Sequence, residues 1–89
     1  MVKLEIRKNA YFDSVTLMLI SKDLKKLDGV KEALVGMGTD LNVEIAHNIG
    51  LATPEFDANI TPNDFFVAVE CDSDEVFEAA QKKVEELLN

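Results

Sequence analysis

The sequence predicts an α+β sandwich: a small sheet of three or four strands packed with three helices, related to the ferredoxin-like fold. Three observations predict it. Val2, Leu4 and Ile6 alternate with Lys3, Glu5 and Arg7, the period of a strand with one buried face. Three later stretches space their apolar residues as helices do. Two short apolar runs, Val30 to Val35 and Phe65 to Cys71, stand between them as further strands. The order is strand, helix, strand, helix, strand, helix, within a chain of 89 residues that forms one domain and one core.

The first strand runs from Val2 to about Lys8 or Asn9. Asp13 or Ser14 then caps a helix, with Phe12 placed over its first turn, that extends to about Leu27. Its buried stripe is Leu17, Ile20, Leu24 and Leu27; Lys22, Lys25 and Lys26 lie where the helix dipole favours cations, and Gly29 ends it. The second strand ends near Val35, before Gly36-Met37-Gly38. Thr39 or Asp40 caps a second helix with Leu41, Ile45, Ala46 and Ile49 inward and Gly50 as its stop. Residues 51–64 carry both prolines and read as a long loop. Phe65 to Cys71, apolar on both faces until Glu70, reads as a central strand. A capping-box-like Asp72 and Glu75 open the last helix, whose stripe is Phe77, Ala80, Val84 and Leu87. A right-handed crossover makes the first two strands parallel. The direction of the third depends on whether residues 51–64 stay at the end where the second helix finishes or cross back.

Seventeen acidic residues against nine basic ones give a net charge of −8, which repels nucleic-acid phosphates and anionic lipid surfaces. No run approaches the roughly 18 apolar residues of a membrane span. One cysteine forms no internal disulfide, and charged Lys3, Glu5 and Arg7 interrupt any signal-peptide core, so a reducing, cytoplasmic compartment is expected.

Several motifs carry a family resemblance: Phe12-Asp13-Ser14-Val15 with Leu17-Met18 and Ile20-Ser21, then Met37-Gly38-Thr39 followed by Asn42, then Thr61-Pro62-Asn63-Asp64 before a Val-Ala-Val strand. In this order, over almost the whole chain, they resemble the N-terminal domain of FdrA-family proteins. That family is similar to the alpha subunit of succinyl-CoA synthetase, with an extra N-terminal domain before a CoA-binding and a ligase-like domain, and is linked to purine breakdown and carbamoyl transfer. The resemblance implies an accessory or regulatory module beside a CoA-binding or ligase-type domain or subunit, either free-standing or part of a longer protein. It carries over no catalytic residue and implies no cofactor.

The rim beyond the carboxyl ends of the first two strands is the expected site, because open sheets bind ligands there and two helix N-termini meet at it. Its candidate ligand-binding residues are Asp13, Ser14, Gly36, Gly38, Thr39 and Asn42. Asn63 and Asp64 join them if the third strand is antiparallel to the second. The plainer reading is that Asp13 and Thr39 cap their helices and the glycines and Thr61–Asp64 only shape turns. His47, in the last turn of its helix, and Cys71, at the end of a buried strand without cationic neighbours, read as structural. One histidine and one cysteine supply no metal-ligand spacing and no nucleophile, base and orienter. Three functions follow as alternatives: an accessory module acting by protein contacts and a small ligand, a subunit lending residues to an acyl or carbamoyl transfer site, and a domain pairing its strand edge with a second copy as a homodimer.

Overall fold

The computed structural model describes residues 1–89. The elements in order are β1 (Val2–Arg7), α1 (Ser14–Leu24), β2 (Val30–Met37), α2 (Asp40–Asn48), α3 (Pro54–Asn59), β3 (Phe65–Cys71) and α4 (Asp74–Leu88). The sheet has three strands in the order β1-β3-β2, and β3 is antiparallel to both neighbours. β1 and β2 are therefore parallel to one another, as expected, but β3 lies between them. This is the small α+β sandwich that the sequence predicts, compatible with a ferredoxin-like arrangement.

β3 is central because it is apolar on both faces, and all of it except Glu70 is buried. Phe65, Val67, Val69 and Cys71 point into one layer with α1 and α4, where Leu17, Ile20, Leu24, Phe77, Ala80 and Val84 pack. Phe66 and Ala68 point into the other, with Ala46 of α2, Leu51 and Phe56 of α3. Phe56 meets Phe66 edge-on at 5.0 Å between ring centres, and Phe12 meets Phe65 in the same way at 5.0 Å.

Four expectations need correction. Residues 51–64 are not wholly irregular: Thr53 caps and Pro54 begins α3, a residue that suits the first helical position because it has no amide hydrogen to leave unpaired. That helix places Phe56 in the core, and the segment crosses back over the sheet, so β3 starts level with the ends of β1 and β2, where Phe65 faces both Arg7 and Met37. β2 continues past Val35 to Met37 because Gly36 and Met37 pair with Phe66 and Phe65. α1 ends at Leu24, short of Leu27. The last helix is capped by Ser73, whose hydroxyl accepts the Val76 amide at 3.3 Å, in place of Asp72.

Candidate functional site

The rim is built as the topology requires. α1 and α2 both begin beyond the carboxyl ends of β1 and β2, capped by Asp13, which accepts the Thr16 amide at 3.1 Å, and by Thr39, which accepts the Asn42 amide at 3.4 Å. From this rim a groove of about 690 Å³ runs along the outer edge of β2 between α1 and α2. Ser14, Gly36, Thr39 and Asn42 line it together with Met18, Leu41 and Met37.

Its floor is the free edge of β2, and side chains have already filled it. The Gly38 amide donates to the Asp64 carbonyl at 2.9 Å, so even-numbered residues of β2 bond β3 and odd-numbered ones face outward. Ser21 accepts the outward Val35 amide at 2.8 Å, and its hydroxyl lies 3.1 Å from the Val35 carbonyl. Asn42 Nδ2 donates to the Met37 carbonyl at 2.9 Å, and Glu32 accepts the Ala33 amide at 3.1 Å. A bulge between Val30 and Glu32 further breaks the edge. Side-chain capping and a bulge are the means by which sheets prevent strand addition.

The other predicted residues are placed as follows. A Cβ on Gly36 would meet Asn42 Nδ2 at 2.9 Å, so the missing side chain makes room for Asn42. A Cβ on Gly38 would overlap the Thr61 carbonyl oxygen, so there the turn before β3 fills the space. Asn63 lines a separate shallow depression with Asn9, Tyr11, Met37 and Pro62. Asp64 is fully buried and committed: its carboxylate accepts from Lys8 Nζ at 2.6 Å, the Asn9 amide at 3.0 Å and the Thr61 amide at 2.9 Å. The Lys8 bond, helped by the two amides and opposed by burial, holds this carboxyl well below the usual carboxylate range. Lys8 also donates to the Asn59 carbonyl at 2.7 Å, so the cluster ties the segment after β1 to the turn before β3.

Sequence reasoning missed the outer surface of α1. Val15, Met18 and Leu19 are each more than half exposed, and Tyr11 before the helix and Leu41 across the groove are 79% and 66% exposed. With Leu17, Ile20 and Leu24 inward, α1 is apolar nearly all round, the pattern of a helix covered on both sides. The signal was present in the sequence as Val15-Thr16-Leu17-Met18-Leu19-Ile20, too apolar for a helix with one buried stripe. Lys22, on the groove wall, makes no ion pair, whereas Lys25 binds Glu32 at 3.1 Å and Lys26 binds Asp23 at 3.8 Å.

Two antiparallel pairings around a central strand, helices on both faces and an apolar groove at one edge make this a small α+β domain. The chain belongs to the family described as AllF, heavy metal-associated domain, whose model matches residues 1–89. It is similar to the uncharacterized protein YahF of Escherichia coli strain K12, at 41% identity over 88 residues, which cover 99% of this chain and 17% of that protein. The chain thus spans about a sixth of the length of this relative. No solved structure matches it.

The family description raises the question of a heavy metal, and the donor set does not fit one. Metals held by thiolate and imidazole need several such ligands, and this chain has one cysteine and one histidine. Cys71 is buried, with its thiol directed at the Ser73 carbonyl, 3.5 Å away. His47 Nε2 is 2.8 Å from Asp57 on α3, at the surface. Nowhere do three histidine, cysteine, aspartate or glutamate side chains gather as a ligand set. No helix is long and apolar enough to cross a membrane.

Proposed function

We propose that this domain is a non-catalytic accessory module of a longer protein, and that it docks onto the rest of that protein through the outer face of α1 and the groove beside β2. The observation that carries the reading is the gathering of Tyr11, Val15, Met18, Leu19 and Leu41, five of the six large apolar residues exposed anywhere on the chain, on these two neighbouring surfaces. Burying such residues against a partner stabilises the contact by roughly 25 cal/mol per Å² of apolar surface removed from water. The relative's length supports the same occupant, since the matching segment is 17% of it and leaves a large remainder to cover the patch.

The motif resemblance to FdrA-type proteins supports reading that remainder as a CoA-binding or ligase-like part. A lack of catalytic machinery in this chain is supported by Cys71 being buried and by His47 lying at the surface, hydrogen-bonded to Asp57 and to no thiol or hydroxyl. The test is calorimetric titration of the chain into YahF lacking its matching segment. Binding is expected for the native chain and its loss for the L19K/L41K double variant; absence of binding by the native chain contradicts the proposal.

A second reading is favoured by the groove itself. At about 690 Å³ it has the size of a small-molecule site, and unpaired Lys22 on its wall suits a ligand with an apolar body and an anionic head. A rise in melting temperature with an acyl-CoA, absent in K22E, supports it; indifference to acyl-CoAs, carbamoyl phosphate and oxamate leaves docking alone.

A further inference from the structure

The two edges of the sheet are unlike. The outer edge of β2 is bulged and filled by Ser21, Asn42 and Glu32, whereas β1 pairs with β3 without interruption from Val2 to Arg7. The Met1 and Cys71 backbones exchange both hydrogen bonds, at 3.0 and 2.9 Å. Odd-numbered residues of β1 therefore bond β3, and the amides and carbonyls of Val2, Leu4 and Ile6 point away from the sheet. No side chain bonds them, and none of the six residues of β1 is fully buried or a proline.

We propose that this free edge is a self-association surface, on which two copies of the chain pair β1 against β1, antiparallel about a two-fold axis at Leu4, to form one continuous six-stranded sheet. The charge pattern selects the second copy as the occupant and fixes the register. Outward backbone groups meet only if even-numbered residues face even-numbered ones, which places the axis on a residue and not between two. With the axis at Leu4, Lys3 of each copy faces Glu5 of the other. Val2 faces Ile6 and Leu4 faces Leu4 on the opposite, apolar side. Met1 then lies opposite Arg7, whose charge is already met by Glu5 and Glu85.

Neighbouring registers fail. An axis at Lys3 sets lysine against lysine, and one at Glu5 sets glutamate against glutamate and Lys3 against Arg7. An axis at Ile6 opposes Glu5 to Arg7 but leaves only Glu5 to Arg7 overlapping within the strand.

Sedimentation equilibrium on the 89-residue chain tests this. The native chain is expected to dimerise with rising concentration. K3E, which removes only an exposed ion pair to Asp74 from the monomer, is expected to weaken the dimer about tenfold or more by placing glutamate against glutamate twice. The K3E/E5K double variant restores both opposite-charge pairs of this register, with positions 3 and 5 facing each other across the axis and their charges exchanged, and is expected to recover association, with circular dichroism confirming that it folds. L19K/L41K is expected to leave the dimer intact, which separates this edge from the docking surface. A native chain that stays monomeric to its solubility limit overturns the proposal, as does a dimer indifferent to K3E. Failure of a folded K3E/E5K to recover overturns the register.

Discussion

Ser21 of α1 seals the edge of β2 at Val35, accepting its amide at 2.8 Å and facing its carbonyl at 3.1 Å. One buried hydroxyl thus replaces the backbone partner that a further strand would supply. Replacing Ser21 with alanine removes that partner and leaves two backbone groups of Val35 unmet at the groove floor. A loss of about 1–3 kcal/mol in urea unfolding is expected. An unchanged midpoint would show that water reaches the groove floor and replaces the hydroxyl.

Asp64 makes acid stability a local matter. Its carboxyl is held below the range it has in the unfolded chain, so its contribution is complete above roughly pH 4 and is lost as pH falls further, towards its folded-state value. The melting temperature of the native chain is expected to drop more steeply below pH 4 than that of D64N, whose side chain does not titrate. Parallel curves would contradict the assignment.

The two glycines of the rim differ in what lies beside them. At Gly38 a methyl group meets backbone, the Thr61 carbonyl, whereas at Gly36 it meets the amide end of a side chain, Asn42, which can move. G38A is expected to lower stability by about 1–3 kcal/mol, as overpacking does, and G36A by less. Thermal melts of the two variants rank them; the reverse order would show that the Thr61–Asp64 turn is the softer neighbour.

Zinc should leave the chain unaffected. With Cys71 buried and no three histidine, cysteine, aspartate or glutamate side chains gathered, zinc at stoichiometric concentration is expected to shift neither the melting temperature nor the amide spectrum. A saturable shift at one equivalent would contradict the donor argument.

Much of the fold was legible in the sequence because its elements carry clean periods: Val2, Leu4 and Ile6 for β1, the unbroken Phe65–Val69 run for β3, and Phe77, Ala80 and Val84 for α4. α3 was not legible, because two prolines in one segment read as loop although Thr53-Pro54 is a sound helix start. The direction of β3 depended on that hidden helix. At the site, the caps Asp13 and Thr39 were readable from residue type. The filling of Gly36 and Gly38 from within was not, since it depends on Asn42 and Thr61 arriving from elsewhere in the chain. The part Ser21 plays at the strand edge was not readable, because a serine inside a helix announces no partner on a strand 14 residues away.

Mapping the contact by amide chemical shifts, as the chain is titrated with YahF lacking its matching segment, tests the docking claim most directly. Shifts are expected to concentrate on Tyr11 to Lys22 and around Leu41, with the outer face of α4, from Glu75 to Glu86, unchanged. Shifts centred on α4, or none anywhere at saturating partner, would contradict it.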